Sequence, residues 1–422
     1  VLVVSHSHPD LSKGGAEVAA HQLFRTLKGS PDHEAWYLGC VRDAGNAKLG
    51  ASLSQPYSDH EYLYACQGFD WFKFANLDAE FPNEFRALLN DLKPDVVHFH
   101  HYLNVGVEAF LHVRETLPEA QIVLTLHEYL GICHHYGQMV TRPARSLCSE
   151  ASPLRCSRCF NEFSPSDFFM RDMYIKRFFD VVDQFIAPSE FLAERYVTWG
   201  LPREKMTVLE NVLPVPTSTA PVARTASKGP LRVGFFGQIS VLKGINVLFE
   251  AAEILEEQEQ YGVVFEIYGD HSGQPPEFQQ DFLTRLAKVG RNVKFMGPYE
   301  QSRVDALMRS VDLVLVPSVW WENSPVVIQE AIRNRRPVIC SDIGGMAEKV
   351  RDGLDGMHFP VGNSVALAHL LSQLVEDRTV LGALGDSIRP AVDTAMLTNE
   401  FKRLYQAPGS ELSSRRTAKA QS

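Results

Sequence analysis

Apolar residues fall into two rhythms along this chain. Short runs of consecutive apolar positions at 1–4, 95–99, 122–126 and 185–189 alternate with stretches at helical spacing, as in Ala19, Leu23 and Leu27 after Ala16. Runs without alternation predict strands buried on both faces, which a parallel sheet covered by helices requires. The rhythm stops at 211–230, where Pro214, Pro216 and Pro221 stand among Ser, Thr, Ala and Gly. It resumes with runs at 231–236, 264–268, 293–296, 312–316 and 337–340. The pattern predicts an α/β chain of two Rossmann-like, doubly wound parallel-sheet domains, 1–210 and 231–392, joined by a linker at 211–230. A helical pattern through Phe401, Leu404 and Tyr405 predicts a last helix at 393–406, with a return to the first domain as its expected path. The polar residues 407–422 are expected to form a mobile tail.

Composition narrows the function classes. A length of 422 residues with 45% hydrophobic content supports two cores. The net charge of −10 repels a phosphate backbone, so nucleic acid is not an expected partner. No uncharged stretch approaches the roughly twenty residues that cross a bilayer, and no basic-then-apolar leader opens the chain, so a cytoplasmic protein is expected. Seven cysteines, an odd number, do not form the even framework of a secreted disulfide protein.

Candidate chemistry sits where strands give way to helices. Gly14 and Gly15 follow the first strand, where backbone N–H groups can approach an anion at a helix amino end; a purely steric turn is the alternative. Gly237 and Gln238 end the strand at 231–236, and Lys243-Gly244 opens the next helix, placing an ammonium at the carboxyl edge of the sheet. Glu322 and Glu330 stand eight positions apart around Asn323, Ser324, Pro325 and Val326. With Pro325 in the first helical turn, Glu330 lies inside the helix and Glu322 before it. Two carboxylates so placed can accept hydrogen bonds from hydroxyls on different parts of one ligand.

Taken together, these elements resemble the donor site of family 4 retaining glycosyltransferases of GT-B fold. The resemblance is carried by the Glu-x7-Glu element after Pro317-Ser318, Lys243-Gly244 and Gly344-Gly345, and in the first half by Gly14-Gly15-Ala16-Glu17, His98, His127 and Ala187-Pro188-Ser189. It implies a cleft between the domains and a nucleotide-diphosphate donor, a UDP- or GDP-sugar, on the second. The acceptor would be a saccharide or a lipid-linked saccharide, as in polysaccharide or glycoconjugate biosynthesis. By the same resemblance Glu322 holds the donor sugar, Glu330 the ribose, Lys243 the diphosphate, and Gly15 a backbone contact. His127 would lie near the sugar and acceptor, and Tyr268, Gly269, Met296 and Gly297 would line the base pocket. His127, Glu322 and Lys243 are the expected catalytic set, and transfer is expected to need no catalytic metal. Two positions depart from the family pattern: Gln238 where an arginine is usual, and Arg335 where a glycine is usual. Alternative readings are a GT-B sugar-nucleotide epimerase or phosphorylase, and a non-catalytic nucleotide-sugar binding protein.

Two further features stand apart. Cys133, Cys148, Cys156 and Cys159 lie in one long segment, the last pair with CxxC spacing, which makes a structural zinc an expectation beside free thiols; His134 or His135 could replace one cysteine. Aromatic and basic residues from Phe168 to Phe179 recur at helical spacing. That pattern fits a core-packing helix with a solvated face, with peripheral contact to the inner face of a membrane as the second reading.

Overall fold

Consecutive apolar residues become strands sandwiched between helices in both halves of the chain. The computed structural model describes residues 1–12, 14–42, 52–142, 144–214 and 229–406. Two compact units emerge: Val1–Pro214 together with the segment from Asp393 on, and a second ending at Val392.

The first unit contains β1 (Leu2–Val4), β2 (Trp36–Val41), β3 (Leu53–Ser58), β4 (Glu61–Ala65), the short pair β5 (Phe69–Asp70) and β6 (Ala75–Asn76), β7 (Val96–Phe99), β8 (Gln121–Thr125), β9 (Gln184–Ala187) and β10 (Met206–Val208). Eight of these form one sheet in the order β10-β9-β8-β7-β1-β2-β4-β3. The sheet is parallel apart from β3, which pairs antiparallel with β4 at the edge. This departs from the all-parallel expectation for a simple reason. Only Asp59 and His60 separate the two strands, enough for a hairpin and far too few for a parallel crossover. Strand order reverses beside β1, which feeds β2 on one side and adjoins β7 on the other, so the carboxyl ends of β1 and β7 form the switch point where ligands bind such sheets.

The helix Thr394–Gln406 belongs to this first unit. Its Leu397 and Phe401 join Val3, Leu23, Phe24 and Tyr37 in one buried cluster. The Gln121 amide donates to Leu404 O at 3.1 Å, and Tyr405 Oη lies 2.7 Å from His98 Nδ1. Val212 is buried in the same cluster, so the described start of 211–230 packs with the first unit; residues 215–228 and the tail at 407–422 lie outside the described residues.

The second unit is a six-stranded parallel sheet, β13-β12-β11-β14-β15-β16, built from β11 (Leu231–Phe236), β12 (Val263–Tyr268), β13 (Val293–Gly297), β14 (Leu313–Val316), β15 (Val338–Ser341) and β16 (Gly356–Phe359). Both faces are dry: Leu313 and Leu315 of β14 enter one core with Leu248 and Leu371, while Val314 and Val316 enter another with Ile328 and Met346. Here the order reverses between β11 and β14, which places the second switch point beyond Phe236 and Val316. Among the described residues no helix is long and apolar enough to cross a membrane.

Candidate functional site

The loop after β14 is shaped by two close backbone approaches. Gly244 caps the helix Ile245–Glu257 with φ +77°, and a Cβ there would fall 1.9 Å from Pro317 O. A Cβ on Gly345 would fall 1.5 Å from Asn323 O, and the Gly345 N–H donates to Glu322 O at 2.8 Å. Glycine at both positions lets neighbouring turns grip residues 317–323 from two sides.

Within that grip the Glu322 side chain is buried, and its Oε1 accepts from three donors: Lys243 Nζ at 2.6 Å, Ser318 Oγ at 2.8 Å and Trp320 Nε1 at 2.9 Å. Three donors on one oxygen fix the carboxylate and leave Oε2 outside this cluster. Lys243 remains a third exposed and lies 5.6 Å from the Trp320 ring centroid. The turn bearing Lys243 and the loop bearing Glu322 thus meet at the carboxyl edge of the sheet.

Glu330 follows in the helix Val326–Arg333, for which Pro325 is the N-cap, one position earlier than the first turn the sequence suggested. It is 5% exposed, and Gln301 Nε2 donates to its Oε1 at 2.6 Å. Burial pushes the Glu330 carboxyl up to about 7, against the Gln301 hydrogen bond and the Arg333 charge, with Asp305 adding to the rise. Asp305 in turn is held by Arg333 Nη2 at 2.8 Å and Asn334 Nδ2 at 2.7 Å.

The other donor-side candidates divide. Gly237, Gly269 and Gly297 stand at the carboxyl ends of β11, β12 and β13, and Gln238 and Met296 are exposed beside them. Asn323 is half-buried and Ser324 buried. Tyr268 behaves differently: its ring stacks on Phe236 at 4.7 Å inside the second core, and its hydroxyl donates to Glu266 at 2.7 Å. Its side chain is a wall of the core rather than an open pocket surface.

At the switch point of the first unit a cluster of histidines and carboxylates closes over β1, β7 and β8. Gly14 caps the helix Gly15–Lys28, and Glu17 in its first turn is buried. Glu17 Oε1 accepts from Ser12 Oγ at 2.7 Å and lies 3.2 Å from His6 Nε2. Burial alone would raise the Glu17 carboxyl, but the His6 and Ser12 partners outweigh it and hold it at about 2. His101 Nδ1 accepts from the Tyr102 and Leu103 amides, so its Nε2 carries the proton and donates to Glu128 Oε1 at 2.6 Å. His127 Nε2 lies 3.1 Å from His100 Nδ1. Burial, reinforced by the neighbouring His101, drives His127 down to about 3, so its imidazole is neutral at physiological pH and can orient a hydroxyl without adding charge. His98 is pinned between Tyr405 Oη and Thr125 Oγ1, both at 2.7 Å, a packing role that sequence spacing alone leaves open.

Sequence reasoning missed the donors that hold the two glutamates, Ser318, Trp320 and Gln301, and the His6–Glu17 and His101–Glu128 pairs. Ser318 and Trp320 stand within four positions of Glu322 and could have been read as local partners. Gln301 lies 29 positions from Glu330, and no local spacing announces it.

Comparison with solved structures identifies the architecture as GT-B. An Anabaena protein, HepE, solved in complex with UDP, superposes with a TM-score of 0.68 at 19% identity over 96% of this chain and 99% of its own. Residues 13–215 match the family described as Glycosyltransferase Family 4, and residues 219–389 match Glycosyl transferases group 1. The chain belongs to this family of glycosyltransferases. Among curated relatives, D-inositol 3-phosphate glycosyltransferase of Nocardia farcinica is 28% identical over 226 residues, 51% of this chain and 50% of the relative. Amylovoran biosynthesis glycosyltransferase AmsK of Erwinia amylovora is 27% identical over 217 residues, 49% of this chain and 51% of that protein. The matched stretch thus spans about half the length of these curated relatives.

Proposed function

We propose that the chain transfers a sugar from a UDP- or GDP-sugar to a saccharide or lipid-linked acceptor, with retention at the anomeric carbon and without a catalytic metal. The observation that carries this reading is the Lys243–Glu322 pair at the sheet edge, eight residues before the buried Glu330. Lys243 and the amino end of the helix Val326–Arg333 face the diphosphate, Glu330 takes the ribose hydroxyls, and Glu322 Oε2 takes a hydroxyl of the donor sugar. As the bond from the anomeric carbon to the phosphate oxygen breaks, charge grows on the leaving diphosphate, and the fixed ammonium and amides stabilise it. The acceptor oxygen bonds to the same face of that carbon, and its proton passes to the departing phosphate oxygen. Neutral His127, on the first unit, orients a hydroxyl.

The relatives' names fit this assignment: one acts in amylovoran biosynthesis, another on D-inositol 3-phosphate, and the HepE structure holds UDP. Phe169, Met170 and Met173 are exposed on the helix Pro165–Phe179, whose Phe168, Ile175 and Phe179 are buried. That outward apolar face suits a peripheral contact at the inner face of a membrane presenting a lipid-linked acceptor. Zinc at the cysteine segment would stay outside the chemistry.

Calorimetry tests the assignment of the two acids. Glu330→Ala should lose most of the affinity for UDP or GDP, whereas Glu322→Ala should bind the nucleoside diphosphate nearly as wild type and lose turnover. Equal loss of nucleotide affinity in both variants contradicts it.

A further inference from the structure

Between β8 and the helix Pro165–Phe179 the chain runs through a long segment in which, among the described residues, Pro153–Cys159 is the one helix, and connections of this length need something to hold them. Its front is pinned by Arg171, which donates to Leu130 O at 2.7 Å, Gly131 O at 2.9 Å and Phe72 O at 2.8 Å. The remainder wraps a cavity of about 330 Å³ whose lining includes Cys133, Cys148, Cys156 and Cys159. None of the four is in a disulfide.

The local backbone brings these cysteines to the cavity from three directions. Cys133 sits in a tight turn that reverses through Tyr136 and Gly137, both at positive φ. A small antiparallel ribbon follows, with Val140 bridged to Leu147 and the Cys148 N–H donating to Met139 O at 2.8 Å. Cys156 and Cys159 stand one turn apart on the helix Pro153–Cys159.

A backbone amide already serves one of the sulfurs: the Arg142 N–H donates to Cys159 Sγ at 3.1 Å. Amide-to-sulfur bonds of this kind stabilise thiolates, the form that binds metal. All four cysteines line the cavity, whereas His135 does not, and His134, which does, packs its ring against Phe72, Phe160 and Phe163.

We propose that Cys133, Cys148, Cys156 and Cys159 form a structural zinc site that staples this segment behind His127 and Glu128. Four cysteines supply the closed tetrahedral thiolate set that zinc favours. No three of the sulfurs lie within 4.8 Å of one another; among the described residues that spacing is met by His8, His21 and Glu61, where Glu61 is already taken by His21 at 2.7 Å and Ser58 at 2.6 Å. Closing on an ion therefore takes rotamer changes at the cysteines, and neighbouring χ1 wells move a sulfur by roughly 3 Å. Each thiol that binds gives up its proton to solvent as its sulfur–zinc bond forms.

The test uses the full chain, purified without added metal or chelator and analysed by plasma mass spectrometry. About one zinc per chain is expected, released in step with titration of four thiols by an organomercurial and followed with a zinc-sensitive dye. Cys156→Ser/Cys159→Ser should lose the metal, and Cys340→Ser, a buried cysteine of the second unit, should retain it. Limited proteolysis between 133 and 159 should accelerate after zinc removal and revert when zinc is restored. Wild-type protein without zinc, with the four thiols reacting freely with DTNB under native conditions, overturns the proposal. So does stoichiometric iron with a visible charge-transfer band, which would assign the thiolates to an iron–sulfur cluster.

Discussion

Protonation of Glu330 should govern donor affinity near neutral pH. The rise of its carboxyl from 4.5 to about 7 corresponds to about 3 kcal/mol in favour of the protonated form in the folded chain. Because the folded value lies above the unfolded one, the associated stability is fully present below 4.5 and lost as pH climbs to about 7, with no further change above it. Ribose hydroxyls donate hydrogen bonds, so they select the ionised carboxylate, and binding must displace the proton wherever one is present. If only the ionised form binds, the apparent Kd at pH 6 is about tenfold weaker than at pH 8, about 1.4 kcal/mol. A nucleotide sugar is the appropriate ligand, because both of its phosphates are esterified and do not titrate in this range. Calorimetry at pH 7 in buffers of different ionisation enthalpy should show about half a proton released per ligand bound. Glu330→Gln should bind more weakly and lose both the pH slope and the proton release. A flat Kd from pH 6 to 8, or the same slope in Glu330→Gln, refutes the reasoning.

Replacing Lys243 by alanine should lower turnover by about a hundredfold or more, the usual cost of removing one pre-organised charge-stabilising group, while EDTA leaves the wild-type rate unchanged. Activity abolished by EDTA and restored by manganese would place the leaving-group chemistry on a metal. Phe401→Ala should destabilise the first unit by about 3–5 kcal/mol, because Phe401 is 1% exposed in the cluster with Val3 and Tyr37. Urea denaturation should show the loss in one of two transitions, with nucleotide affinity retained; an unshifted curve would mean that the last helix adds little to that core.

The parallel strands were legible where burial on both faces left apolar residues on consecutive positions, as at Leu313–Val316 of β14 and 122–124 of β8. Strand β2 was not, because Gly39 interrupts the apolar run Trp36–Val41. Nor was β3, whose Ser54, Gln55 and Pro56 read as a loop and become a strand only through pairing with β4. At the donor edge the spacing of Glu322 and Glu330 was legible, and so was the break before the helix at Pro325. The raised Glu330 carboxyl was not, since it arises from three-dimensional burial beside Asp305. Arg335 shows what a departure from pattern means physically. Its φ of +55° is the conformation glycine adopts readily, and its guanidinium donates to Ile388 O at 2.8 Å and Gly385 O at 3.1 Å, contacts that a glycine would lack. Gln238 is exposed after β11, and under the proposed function the phosphate charge at that edge falls to Lys243.

The most direct test of glycosyl transfer is to incubate the full chain with UDP- and GDP-sugars, with and without a panel of saccharide and lipid-linked acceptors, and to follow donor and product by NMR. The account predicts that one donor is consumed substantially only when an acceptor is present, yielding nucleoside diphosphate and a glycoside whose anomeric configuration matches the donor's. Donor consumed without acceptor to an epimer, consumption that requires inorganic phosphate, or a glycoside of inverted configuration would contradict it.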